Sequence, residues 1–145
     1  MTQENNFELT EKLPTDLKQI NPFLDRVFGQ LAVHVKDEEQ LSKVKLALEE
    51  ALSNAMRHGN GLKLSRKVMV RIVCDHGRIY LDVSDKGNGF NPKTVPDPTQ
   101  SGYAENIPGG RGIFLMRKMM DSVEFYNGGR GVRMVKKINI NQGIH

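Results

Sequence analysis

Apolar residues recur along this chain at two spacings, and the change from one to the other separates helices from strands. After Pro14, the residues Leu17, Ile20, Leu24, Val27, Phe28 and Leu31 follow three- and four-residue steps, the period of a helix with one buried face. Pro22 fits such a helix only in its first turn or at a kink. A second helix is predicted to start at Asp37, whose side chain forms a capping box with Gln40, and to stop at Gly59. Leu41, Val44, Leu48, Ala51 and Ala55 are its core stripe. The period then falls to two. Val68, Val70, Ile72 and Cys74 alternate with Met69, Arg71 and Val73, while Ile79, Leu81 and Val83 alternate with Tyr80 and Asp82. With Asp75-His76-Gly77-Arg78 between them, these runs predict a hairpin.

Phe7 to Leu9 reads as a short first strand. A third helix runs from about Gly112 to Met120, and two strands follow around the turn Asn127-Gly128-Gly129-Arg130. The Gly-Gly-Arg-Gly string occurs at 109–112 and again at 128–131, where it reads as a plain hairpin turn. Asn91 to Pro108 holds four of the six prolines and little periodic pattern. Long loops inside compact domains are usually functional, often lids. Helices clustered early and late around antiparallel strands predict an α+β fold: a single-domain two-layer sandwich over 1–145, with a mostly antiparallel sheet and helices on one face.

Composition narrows the class. A chain of 145 residues forms one domain large enough to bury a core, with no room for a second catalytic one. Hydrophobic residues at 38% and charged residues at 26% are ordinary for a globular protein in water. No apolar run reaches the length of a membrane span, and Met1-Thr2-Gln3-Glu4-Asn5-Asn6 lacks the basic start and apolar stretch of a signal peptide. The expectation is a cytoplasmic protein without a membrane partner. Cys74 is the only cysteine, so an intrachain disulfide and a thiolate metal cage are excluded, and it reads as a small buried strand residue. The net charge of +4 comes from scattered basic residues with 6% aromatics. Without basic and aromatic residues interleaved, direct nucleic-acid binding is not expected; an acidic partner or nucleotide phosphates suit the charge.

The candidate chemistry lies in three segments. On the second helix, with about 100° per residue, Glu50 and Asn54 stand about 40° apart and Glu49 and Asn54 about 140° apart. Glu50 is therefore the carboxylate that shares a site with Asn54, and His58 continues the stripe with Arg57 beside it. An ionised Glu50 can accept a proton from a hydroxyl or a water. Magnesium takes one or two protein oxygens plus phosphates and water, so the Asn54 amide oxygen suffices for it. Asp85 ends a strand before Gly87 and Gly89; a carboxylate there can accept from an adenine amino group while the glycines let the backbone approach the ring. Gly109, Gly110, Arg111 and Gly112 present N–H groups at a helix start, which favours anions. The blander alternatives are a solvated Glu-Asn pair, a common Asp-x-Gly-x-Gly turn and, for His58, a cap on the helix C-terminus. The Rossmann fingerprint fails for want of the third glycine and the βαβ setting, and no P-loop string occurs. The His-Arg-Asp and Asp-Phe-Gly kinase signatures are missing too. Ile113, Met116 and Met120 have the spacing of core.

Taken together, Glu50-Ala51-Leu52-Ser53-Asn54-Ala55-Met56-Arg57-His58-Gly59, Asp85-Lys86-Gly87-Asn88-Gly89-Phe90 and Gly110-Arg111-Gly112-Ile113-Phe114-Leu115-Met116 resemble the ATPase fold shared by gyrase, the heat-shock chaperone, histidine kinases and mismatch-repair proteins. Within it the likeness is to anti-sigma factor serine/threonine kinases, over Leu13 to Ile140. The resemblance implies Mg-ATP as cofactor, with Glu50 as general base and Asn54 on Mg2+. It places Arg57 and His58 at the phosphates or lid, Asp85, Gly87 and Gly89 at adenine, Gly110, Arg111 and Gly112 at phosphate, and an ATP lid at 91–108. It further implies phosphorylation of an anti-anti-sigma protein, sequestration of a sigma factor, and a homodimer. Two rivals stand beside it. A non-catalytic ATP-gated protein-binding module keeps Asp85 and the glycines without needing Glu50. A histidine-kinase-type catalytic domain acting in trans needs a phosphorylatable histidine on another chain.

Overall fold

The computed structural model describes residues 6–86 and 110–138. In chain order these form strand β1 (Phe7–Pro14), helices α1 (Ile20–His34) and α2 (Glu38–Asn54), strands β2 (Lys67–Asp75) and β3 (Arg78–Ser84), helix α3 (Gly110–Met119), and strands β4 (Ser122–Tyr126) and β5 (Gly131–Lys137). The strands make one sheet in the order β1-β2-β3-β5-β4, antiparallel at every pairing. This is the α+β architecture that the alternation of periods predicts.

Register shows why one face is dry. Leu9, Ile72, Leu81, Met134 and Val123 stand opposite one another across all five strands, and the next row is Thr10, Arg71, Asp82, Arg133 and Glu124. Successive side chains point to opposite faces, so the apolar row meets the helices and the charged row does not. The buried cluster joins Val68, Val70, Ile72, Ile79, Leu81 and Val83 to Leu24, Leu31, Val44, Leu48 and Leu52 of α1 and α2 and to Ile113 and Met116 of α3. On the other face, opposite-charge neighbours pair across strands. Arg133 Nε donates to Asp82 Oδ2 at 3.1 Å, and the Tyr126 hydroxyl donates to Asp82 Oδ1. Burial and that carboxylate push the Tyr126 phenol up to about 12.

The boundaries depart from the periodic reading in four places. β1 extends to Pro14, beyond the Phe7 to Leu9 expected, because Glu11 interrupts the apolar alternation without ending the strand; its carboxylate takes a 2.9 Å bond from Arg26 on α1. The Asp37 cap forms, accepting from the Gln40 amide at 3.2 Å, but Gln40 Oε1 makes no hydrogen bond, so the box is half closed. α2 does not run regularly to Gly59; after Asn54 the chain widens into a π turn over Ala55–Gly59. α3 begins at Gly110, two residues before Gly112. Pro22, by contrast, is the third residue of α1, inside the first turn, where no intrahelical partner is lost.

Lys136 lies on the inward face of β5, where an apolar residue continues the pattern, yet it is buried. Its Nζ donates to the Met119 carbonyl at 2.8 Å and stands 3.8 Å from Asp121, so the cation closes an unpaired carbonyl at the end of α3. Among the described residues no helix is long and apolar enough to cross a membrane.

The α2 face against the sheet carries much of the stability. Leu52 has no exposed surface, so Leu52→Ala should cost about 2–5 kcal/mol through lost burial and the cavity left behind. Urea unfolding of the variant beside the parent chain checks the value.

Candidate active site

α2 carries the first part of the site on its last turn, and the start of α3 packs directly on it. A Cβ on Gly112 would lie 2.8 Å from Glu50 Oε1, 3.1 Å from Asn54 Nδ2 and 3.3 Å from Asn54 Oδ1. A side chain there would require the Glu50 and Asn54 side chains to shift. Glu50, Asn54 and the first turn of α3 therefore share one corner of the molecule.

Beside that corner a cavity opens between α2, α3 and the ends of β3, β4 and β5. Ala51, Ala55, Val83, Ile113, Met116 and Val132 give it apolar walls, and Asn54, His58 and Asp85 bring polar atoms to it. A mostly apolar cavity with a few convergent polar groups is the usual form of a small-molecule pocket. The Asp85 backbone is pinned, its N–H donating to the Arg130 carbonyl at 2.8 Å. Its carboxylate packs on Gly59, where a Cβ would come within 2.3 Å of Asp85 Cγ and Oδ2.

Burial tunes two of these groups. It raises the Glu50 carboxyl above its ordinary 4.5, and the neighbouring Glu49 charge raises it further. Burial lowers the His58 imidazole below 6.5, and the Arg57 charge adds to this. His58 is thus held neutral near pH 7, where a cation at the helix C-terminus would need its proton. Glu50 also carries a stability consequence. A carboxyl whose folded pKa is raised costs stability when ionised, a penalty that begins as pH rises through 4.5 and is complete above the folded pKa.

The other residues singled out from the sequence are placed as follows. Arg57 is exposed, with its Nε on Ser53 Oγ at 3.2 Å. Gly110 is buried and Arg111 exposed in the first turn of α3. Gly87, Gly89 and the proposed lid at 91–108 lie outside the described residues. Among the described residues no cluster of three His, Cys, Asp or Glu side chains could hold a metal. An ion at Asn54 would take the rest of its shell from phosphates and water, which is how magnesium is usually bound.

Sequence reasoning missed two walls. The second Gly-Gly-Arg-Gly string makes the β4–β5 turn, as expected, but Gly129, Arg130 and Gly131 also line the cavity. Gly59 and Asn60 follow the helix motif directly. Gly59 admits the Asp85 carboxylate, and Asn60 is a buried polar residue. The signal available was an Asn at a helix end with no acidic residue from 51 to 74 to pair with.

The histidine kinase-like ATPase domain family matches residues 12–136. An anti-sigma F factor of Clostridium perfringens is 32% identical over 105 residues, covering 70% of this chain and 75% of its own length. A serine-protein kinase RsbW of Bacillus pumilus is 33% identical over 109 residues, 70% of this chain and 67% of that protein. A serine-protein kinase RsbW of Listeria monocytogenes is 29% identical over 110 residues, 72% and 70% respectively. The chain belongs to the histidine kinase-like ATPase domain family and groups there with the anti-sigma factor kinases. ATP binding comes with that membership.

Two outcomes follow from the geometry. Gly59→Ala puts a methyl where the Asp85 carboxylate lies, so ATP affinity should fall about tenfold, the worth of one charge-assisted hydrogen bond; calorimetry measures it. Carbon-13 NMR should show Glu50 titrating above 4.5, and Glu49→Gln should move that midpoint down by removing the neighbouring charge.

Proposed function

We propose that this chain is an anti-sigma factor serine/threonine kinase that binds Mg-ATP, phosphorylates an anti-anti-sigma protein and sequesters a sigma factor. The observation that carries the reading is the crossing at Gly112, where a carboxylate, an amide oxygen and a helix N-terminus converge. A base, a metal ligand and a phosphate cradle are what phosphoryl transfer asks of a protein, since its catalysis is mostly positioning and charge stabilisation.

Glu50 accepts the proton of the partner's serine or threonine hydroxyl as that oxygen attacks the terminal phosphorus, and the bond to the bridging oxygen of ADP breaks. Burial and the neighbouring Glu49 charge raise the carboxyl pKa, which makes the ionised Glu50 a better proton acceptor. Asn54 offers its amide oxygen to Mg2+. Gly110 and Gly112 present backbone N–H groups to phosphate, and Arg111 suits the same anion, because a cation in a helix's first turn opposes the dipole unless an anion sits there. Asp85 accepts from the adenine amino group over Gly59, with Gly87 and Gly89 admitting the ring. His58 and Arg57 serve the phosphates or a lid formed by 91–108. The printed names of the relatives, an anti-sigma F factor and a serine-protein kinase, support a sigma factor as captive and a serine as acceptor; the anti-anti-sigma protein, the homodimer and the cytoplasmic setting rest on the sequence resemblance alone.

The test is phosphate incorporation into a partner recovered from the native cell. Glu50→Gln should keep ATP binding and lose about 10² to 10⁴-fold in transfer rate, the usual share of a general base. Above the folded pKa of Glu50 it should also melt slightly higher than the parent chain, since an ionised half-buried carboxylate is gone. A parent chain that binds the partner only with ATP, yet transfers no phosphate, would make the protein an ATP-gated binding module instead.

A further inference from the structure

Asn60 has no exposed surface, and every polar atom of its side chain is used. Nδ2 donates to Thr15 Oγ1 at 2.9 Å and to the Lys67 carbonyl at 3.2 Å. Oδ1 accepts from the Lys86 N–H at 2.8 Å. Thr15, itself buried, donates its hydroxyl in turn to the Arg66 carbonyl at 2.6 Å. One amide therefore joins the end of α2, the residue after β1, the start of β2 and the segment that leaves β3. Such a network is rigid when fully satisfied and costly when one member is lost.

The two ends of that amide do different work. Nδ2 ties elements that the sheet already holds together. Oδ1 holds only Lys86, the residue directly after Asp85, where regular strand structure has ended. Asp85 is thus bracketed, its own N–H on Arg130 and the following N–H on Asn60, while Gly59 receives its carboxylate without a Cβ in the way.

We propose that Asn60 is a positioning residue for base selectivity: its Oδ1 fixes the backbone beyond Asp85 and so aims the Asp85 carboxylate at the base. The inference rests on Asp85 reading the adenine amino group. Discrimination by hydrogen bonding depends on an acceptor held in place, because a wrong base then leaves a buried polar group unpaired. An Asp85 free to swing could follow either base.

The full chain is compared with Asn60→Ala, Asn60→Asp and Thr15→Val by calorimetry with ATP and GTP, thermal melting and amide hydrogen exchange. All three variants should melt lower, since each breaks the buried network. Asn60→Ala alone should cut the ATP-over-GTP ratio, by about tenfold, the cost of losing one well-aimed hydrogen bond, and should speed exchange at the Lys86 amide. Asn60→Asp keeps an acceptor for Lys86, and Thr15→Val leaves Asn60 Oδ1 untouched, so both should keep the ratio. If Asn60→Ala does not fold, Asn60→Ser carries the same expectation, because its shorter side chain falls short of Lys86. An unchanged ratio in the Asn60 variant, or an equal fall in Thr15→Val, would reduce Asn60 to a structural brace. A parent chain with no preference for ATP, or one whose preference survives Asp85→Asn, would instead remove the Asp85 reading, and this inference with it.

Discussion

The close crossing of α3 over the last turn of α2 is the constraint on which the rest of this molecule depends. Residue 112 has no Cβ, and because of that a helix N-terminus comes within contact of a carboxylate and an amide on another helix. A side chain there would displace the Glu50 carboxylate and the Asn54 amide from the start of α3, on the helix whose Ile113 and Met116 belong to the apolar layer. Packing and chemistry therefore make the same demand at one position. The antiparallel sheet is the platform that fixes the crossing, since α2 is held by Leu48 and Leu52 and α3 by its own buried stripe, with Lys136 closing the far end of α3.

Several groups at the site are costly to the fold, and each cost is met nearby. Glu50 is partly desolvated next to Glu49, a like-charge pair that lowers stability and raises basicity together. Asp85 is fitted against Gly59, which gives up helix propensity to make room. Asn60 buries a polar amide, which would be destabilising without its three partners. The cores of β2 and β3, in which every second residue is buried, supply the surplus that tolerates such choices.

The sequence revealed periodic features well and features without period poorly. The hairpin from Val68 to Val83 and the stripes of α1 and α2 were legible because a half-buried strand and an amphipathic helix each impose a repeat on apolar residues. β1 was cut short because Glu11 broke that repeat, and nothing local told that Arg26, on another element, would accept the charge. Glu50 and Asn54 could be placed on one helix face by angle alone. The contact of both with Gly112 could not, since it depends on how two helices cross. Gly59, Asn60 and the second Gly-Gly-Arg-Gly string escaped for a related reason. Their importance lies in which backbone they touch, and the partners, Asp85, Lys86 and the cavity wall, are distant in sequence.

The π turn at the end of α2 connects these points. In a regular helix the Ala55 carbonyl would accept from the N–H of residue 59, but here it accepts from Asn60 at 2.7 Å, one residue later. The wider turn shifts Gly59 and Asn60 by one place relative to the α-helical stripe. Gly59 then meets the Asp85 carboxylate, and the Asn60 amide turns into the interior toward Thr15, Lys67 and Lys86. A continued α-helix would present other atoms at both places, so the local loss of regular hydrogen bonding is what lets one helix serve two neighbours. π turns commonly occur where a helix has been adjusted for function rather than for stability. In this chain the adjustment lies where the carboxylate proposed to read the base meets the backbone that holds it.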